Sequence, residues 1–198
     1  MRTLITGGAR SGKSTFAESV VSEWVRRPES LANAPESLAN APESLANGVV
    51  DYVATGYPAS SDDPDWAARV LLHQERRPSG WRTIETLDVA GALLADSPVP
   101  VLVDCAGLWL TRTADETHAW EGAPDAVDAR VAELLDAVSR TSRDVVLVTN
   151  EVGLGLVPDT ASGRWFRDAL GRLNVGLAAR CDEVWLCVAG IPVQVKHG

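Results

Sequence analysis

The octapeptide Gly7–Ser14, GGARSGKS, has the spacing G-x-x-x-x-G-K-S of a loop that cradles phosphates. It follows a β-rich run, Arg2–Thr6, and opens a helical pattern at Lys13, which is the context such a loop needs. Glycines let backbone N–H groups turn inward around phosphate oxygens, and the helix N-terminus adds the positive end of its dipole. The nucleotide-binding set is read as Gly7, Gly8, Ala9, Arg10, Ser11, Gly12, Lys13 and Ser14. Lys13 is expected to reach the β- and γ-phosphates, and the Ser14 hydroxyl to ligate Mg²⁺. Asp104 ends the most strand-like run of the chain, VPVLVDC, where a second Mg²⁺ ligand is expected. The plainer alternative is a carboxylate that caps a strand end.

Of the three histidines, His73 stands in LLHQERRP, with Arg76 and Arg77 three and four residues on. A helix continuing through this segment puts all three on one face. The arginines then offset phosphate charge and lower the His73 pKa, keeping the imidazole neutral. His118, in ADETHAWEG, and His197, the penultimate residue, read as solvent-facing.

The elements that must position these residues alternate. Strand-like runs are Arg2–Thr6, Val49–Thr55, VPVLVDC and DVVLVTNE, with a pair around a Gly-Ile-Pro turn in DEVWLCVAGIPVQV; Trp81–Glu85 reads as extended. Helical patterns run from Lys13 to about Arg27, through PDWAARVLLHQERR, DVAGALLA and PDAVDARVAELLDAVSR, and over Arg164–Arg180. In the second of these, Trp66, Val70 and His73 share a face. The alternation predicts an α/β fold with a mostly parallel sheet. Ligands of such sheets lie beyond the carboxyl ends of the strands, a rim that would gather Thr55, Asp104, Asn150 and Glu151. One domain spans 1–198, interrupted at about 28–47 by a near-threefold repeat of PESLANA. Its prolines forbid a continuous helix, so it is read as a surface insertion.

A net charge of −9 on 198 residues argues against wholesale nucleic-acid binding, while leaving room for one basic pocket. Three cysteines without a CxxC pair suit buried thiols in a reduced, cytoplasmic protein. No run approaches the length of a membrane span. Seven tryptophans are many; Trp24, Trp165 and Trp185 fall on apolar faces, whereas Trp81, Trp109 and Trp120 are less clearly placed. A GTPase switch fits poorly, since DCAG is only a loose D-x-x-G and no N-K-x-D follows. A RecA-like regulatory ATPase acting on nucleic acid is disfavoured by the acidic balance. A transferase moving phosphoryl or nucleotidyl groups to a small acceptor fits best, and a small-molecule kinase alone is its nearest alternative.

The segments TGGARSGKSTFAE, YVAT, ARVLLHQERRPSGWRTIE, LVDC, LVTNEVGLGLVP, FRDALGRLN and VAGIP occur in this order. Together they resemble the bifunctional adenosylcobinamide kinase / adenosylcobinamide-phosphate guanylyltransferase family of cobalamin biosynthesis, over nearly the whole chain except the proline heptads. The resemblance implies a RecA-like P-loop fold, assembly as a homotrimer, and two reactions with GTP or ATP as substrates. One phosphorylates the aminopropanol hydroxyl of adenosylcobinamide. The other moves GMP from GTP to that phosphate through a guanylylated histidine, which the resemblance places at His73, and releases pyrophosphate. It also implies GTP contacts at Gly7 to Ser14, at Ala54, Thr55 and Gly56, at Gln74, Glu75, Arg76 and Arg77, at Glu85 and at Asp104. The base for the kinase step is left open between Glu151 and Asp104. Since a loop that presents a γ-phosphate does not thereby present an α-phosphate to His73, the segment bearing His73 is expected to move.

Overall fold

Successive side chains of every strand go to opposite faces of the sheet, and in the computed structural model this alternation splits the core in two. Leu4, Val53, Val101, Val103, Val145 and Leu147 pack on one face. Ile5, Tyr52, Leu102, Val146 and Val148 pack on the other. The structure describes residues 1–26, 48–60, 62–121 and 125–198. The heptad insertion expected at about 28–47 lies outside the described residues.

In chain order the elements are β1 (Arg2–Gly7), α1 (Lys13–Arg26), β2 (Asp51–Ala54), α2 (Pro64–Glu75), β3 (Arg82–Glu85), α3 (Val89–Leu94), β4 (Val101–Asp104) and α4 (Ala106–Glu116). A short 3₁₀ turn, Ala119–Glu121, leads to α5 (Asp125–Arg140), β5 (Val145–Val148), α6 (Ala161–Arg180), β6 (Glu183–Val188) and β7 (Ile191–Lys196). The sheet order is β3-β2-β4-β5-β1-β6-β7. Its pairs are parallel except β6 with β7. The strand feeding the phosphate loop, β1, is separated from the strand ending in Asp104, β4, by β5 alone. This is the RecA-like P-loop arrangement expected from the sequence.

Helix α1 covers one face through Ala17, Val21, Trp24 and Val25. The other face lies under α3, α4, α5 and α6, whose buried stripes include Leu93, Trp109, Leu134 and Leu173. Helix α4 has no counterpart in the sequence reading. Its N-cap, Cys105, makes no side-chain capping bond, and its β-favouring Thr111, Thr113 and Trp109 mask the helical period. Burial supplies what propensity withholds: Trp109 is in the core and its indole N–H donates to the Leu87 carbonyl at 3.0 Å. Helix α6 starts at Ala161, three residues ahead of the expected Arg164, because the Thr160 hydroxyl caps it by accepting from the Gly163 N–H at 3.1 Å. Trp81 also joins the core, beside Tyr52.

The end of the sheet away from the phosphate loop is locked by a buried ion pair. Arg143 and Asp51 are 4% and 1% exposed and face one another. Arg143 also donates from Nε to the Val99 carbonyl and from Nη1 to the Ala92 carbonyl, both at 2.8 Å. Arg82 approaches the same Asp51 carboxylate at 2.8 and 2.9 Å. Removing one partner of such a pair strands a buried charge. Arg143→Met should therefore lower stability by about 3 kcal/mol, the low end of the range because Arg82 stays. Urea unfolding should show this as a lower midpoint, with nucleotide affinity unchanged at the opposite end of the sheet.

Candidate functional site

Chain direction brings the phosphate loop, the end of β2 and the end of β4 to one rim. Gly12 has φ +87°, and a Cβ there would meet the Gly190 Cα at 3.1 Å. The turn between β6 and β7 thus backs the loop, tied by a Gly190 N–H bond to the Ser11 carbonyl at 2.9 Å. Gly7 is pressed as closely, since a Cβ on it would meet the Ser11 hydroxyl and the Cys187 carbonyl. Lys13 Nζ donates to the Gly8 carbonyl at 3.2 Å, which lays the ammonium over the loop. The first turn of α1 carries no acidic residue, so nothing there offsets the dipole that favours an anion.

The expected rim residues are brought together. Ala54 is level with Glu85 on one side and Asp104 on the other. Thr55 is buried and its hydroxyl donates to the Cys105 carbonyl at 2.8 Å. Glu151 donates its N–H to the Gly7 carbonyl at 3.1 Å, and its carboxylate accepts from the Gly153 N–H at 2.7 Å. The Asn150 carbonyl accepts from the Asn174 amide at 3.0 Å, a strut from α6 to the end of β5. Gln74 and Glu75 are exposed on the last turn of α2. Cys105, beside Asp104, is buried with its thiol pushed up to about 12, so it stays an inert thiol.

His73 is half-buried at this rim. Its Nδ1 lies 3.9 Å from Asp104 Oδ2 and 3.3 Å from Arg76 Nη2. Guanidinium only donates, so this contact is a hydrogen bond in the tautomer that keeps the ring proton on Nε2. Burial is the first cause that lowers the His73 pKa; Asp104 opposes it, and Arg76, Arg77 and Lys13 add to it. The arginines do act in the expected direction, but desolvation leads. Helix α2 stops at Glu75, with Pro78 close behind, so the two arginines part. Arg76 stays beside His73 and pairs with Glu18 of α1 at 3.0 Å. Arg77 turns onto the Tyr52 ring, 3.5 Å from its centroid. Tyr52 donates its hydroxyl to Asp104 Oδ2 at 2.9 Å. Burial raises the Glu18 pKa in spite of Arg76, and burial and Asp104 raise that of Tyr52.

Glu18 and Tyr52 were not among the residues singled out in sequence. Both lie inside the segments TGGARSGKSTFAE and YVAT, but their partners are 58 and 52 positions away, beyond the reach of local pattern. Arg112 was missed as well; it donates to the Thr55 and Gly56 carbonyls at 3.2 and 2.7 Å. Trp81 and Trp109 are buried and present no surface to a ligand. An aromatic wall stands instead in a cleft of about 560 Å³ lined by Tyr57, Pro58, Trp66 and Leu108, against Gly56. His118 and His197 are exposed, as expected.

Among the described residues no group of three or more His, Cys, Asp or Glu forms a protein-only metal cage. One carboxylate and one hydroxyl, Asp104 and Ser14, suit Mg²⁺, which is commonly held by few protein oxygens together with substrate phosphates. Among the described residues no helix is long and apolar enough to cross a membrane.

A sequence model of the family described as "Cobinamide kinase / cobinamide phosphate guanyltransferase" matches residues 3–195. The bifunctional adenosylcobalamin biosynthesis protein CobU of Salmonella typhimurium is 36% identical over 207 residues, covering 99% of this chain and 100% of the relative. CobU of Escherichia coli is 35% identical over 208 residues, with 99% and 100% covered. The bifunctional adenosylcobalamin biosynthesis protein CobP of Pseudomonas aeruginosa is 35% identical over 201 residues, with 99% and 98% covered.

Proposed function

The chain belongs to the cobinamide kinase / cobinamide phosphate guanyltransferase family, and on that footing we propose that one phosphate-loop site serves both reactions, with His73 taking up GMP. The observation that carries this reading is the position of His73, flanked by Asp104 at 3.9 Å and Arg76 at 3.3 Å on the rim that the phosphate loop shares.

In the kinase step the acceptor hydroxyl of cobinamide attacks the γ-phosphorus of a nucleoside triphosphate. Lys13 and the loop N–H groups hold the phosphates, and Asp104 or Glu151 is placed to take the hydroxyl proton. In the transferase step an imidazole lone pair of His73 forms an N–P bond to the α-phosphorus of GTP. The bond from that phosphorus to the α,β-bridging oxygen breaks, and pyrophosphate leaves with its electron pair. A phosphate oxygen of cobinamide phosphate then attacks the same phosphorus, the N–P bond breaks, and His73 recovers its lone pair. Two displacements replace one direct attack by a weakly nucleophilic phosphate monoester on the α-phosphorus of GTP. Ser14 and Asp104 would hold Mg²⁺ together with substrate phosphates, and the ion would supply charge neutralisation.

Arg76 is the exposed cation of the site. It is 42% exposed and held by one carboxylate, that of Glu18. Triphosphate competes with Glu18 for it, which draws the guanidinium off His73 Nδ1 and frees that lone pair. No residue of α2, all of which are described, is buried. A helix so lightly held can shift between the two steps. The trimer implied by the resemblance is part of the same reading.

Supplying the protein with adenosylcobinamide, GTP and Mg²⁺ and following the corrinoid by mass tests the reading. Phosphate and then GDP forms should accumulate. A phosphate form alone would leave a kinase. The pH profile of guanylylation follows from the lowered His73 pKa. The attacking form is neutral, so the rate should stay level through the ordinary histidine value of about 6.5 and fall only below it. An acid limb at or above that value, seen in single-turnover labelling with α-labelled GTP, would contradict the assignment.

A further inference from the structure

Arg76 and Arg77 are neighbours in sequence with opposite freedoms. Arg76 is solvent-facing and held by one ion pair. Arg77 sits over the Tyr52 ring, with its Cζ 3.5 Å from the centroid, and donates from Nη1 to the Thr83 hydroxyl at 2.8 Å. Its Nε is buried against the ring with no hydrogen-bond partner. Tyr52 is itself 2% exposed, wedged against Trp81, with its hydroxyl committed to Asp104. One buried side chain therefore touches both a cation and the carboxylate that faces His73.

We propose that Tyr52 is a positioning residue for guanylyl transfer: its ring clamps Arg77 as a fixed cation beside the His73 segment while its hydroxyl fixes Asp104, so Arg77 acts from its post and is not a phosphate ligand. The proposal rests on the reading of His73 as the nucleophile and deepens it. A preorganised charge stabilises a developing anion without reorganising during the reaction. Only a planar guanidinium can stack on the ring and bond Thr83 together; a lysine keeps the charge and loses the geometry. A phosphate ligand would behave oppositely, since altering it weakens nucleotide binding and leaves the rate at saturation alone.

The test uses the full-length protein and Arg77→Lys, Tyr52→Phe, Tyr52→Leu and the Arg77→Lys/Tyr52→Leu pair. Three quantities are read: the single-turnover rate of protein labelling from saturating α-labelled GTP with Mg²⁺, equilibrium binding of α,β-methylene GTP, and urea unfolding without nucleotide or metal. Arg77→Lys and Tyr52→Leu should each slow labelling by about tenfold or more while analogue affinity stays within about threefold. The pair should lose little beyond either single variant, because both remove one interaction. Tyr52→Phe should recover most of the Tyr52→Leu loss, since the ring stays under Arg77. The urea midpoints should show the same lack of additivity.

Two results would overturn the proposal: analogue binding weakened tenfold in Arg77→Lys with a normal labelling rate at saturation, or wild-type labelling in Tyr52→Leu. If Tyr52→Leu fails to fold, Arg77→Lys decides alone, because that residue lies nearer the surface. Failure of the underlying reading looks different: acid-labile label would persist on His73→Ala protein, whatever the other variants do.

Discussion

Replacing His73 by Ala should abolish covalent labelling from α-labelled GTP and lower guanylyl transfer by at least about 10⁴-fold, with phosphoryl transfer kept within about fivefold. The size follows from the role. A nucleophile that forms the intermediate has no partial substitute, and alanine leaves only a direct attack by the phosphate monoester. The asymmetry follows from the geometry. Lys13 lies over the phosphate loop and Tyr52 holds Asp104 from the sheet, so neither depends on the imidazole. Glu18 keeps Arg76 against α1 whether or not a ring faces it. Parallel assays with α- and γ-labelled GTP read the two losses on one preparation. Acid-labile label on the alanine protein would sink the assignment. Equal loss of both activities would make His73 part of the shared phosphate site.

The environment of His73 explains why histidine suits this place. A lysine among Arg76, Arg77 and Lys13 would be another cation, with its lone pair sequestered by a proton. An imidazole starts near neutrality, and burial together with those cations moves it further toward the neutral form. Asp104 pulls the other way. A divalent cation held on that carboxylate would weaken the pull.

Some of this was legible in the sequence because it is local. Gly7–Ser14 encodes strand, loop and helix within a dozen residues, and Asp104 follows a run too apolar to be anything but a buried strand. Which of Leu4 and Ile5, Tyr52 and Val53, or Leu102 and Val103 faces which side was not legible, because runs apolar on both faces carry no alternation; the split comes from packing. Helix α4 was not legible, since its stability comes from burying Trp109 and Leu110 rather than from caps or propensity. The parting of Arg76 and Arg77 was not legible either. The sequence pattern treats them as consecutive residues of one helix face, and only the end of α2 at Glu75 sends one to Glu18 and the other to Tyr52. Glu18 and Tyr52 carry no local signal, since each stands beside another polar residue, Ser19 and Asp51.

Lys13→Ala should lower both activities together, each by about 10³-fold or more in kcat/KM, about 4 kcal/mol of transition-state stabilisation. The two reactions break different bonds of the triphosphate, yet the same phosphates carry the new charge. In the kinase step the charge grows on the β,γ-bridging oxygen as the γ-phosphoryl group departs. In guanylyl transfer it grows on the pyrophosphate, which is the same β,γ unit leaving from the α-phosphorus. An ammonium lying over Gly8 addresses that unit in both cases. Lys13→Arg should restore less than a tenth of either activity, because a planar guanidinium does not reproduce the compact ammonium that lies over Gly8. The ratio of the two losses is therefore the informative quantity, measured with α- and γ-labelled GTP on the same protein. A ratio near one places both leaving groups in one loop. Loss of phosphoryl transfer with guanylyl transfer intact would put the GTP that feeds His73 in a second site, and the shared-loop reading would fall.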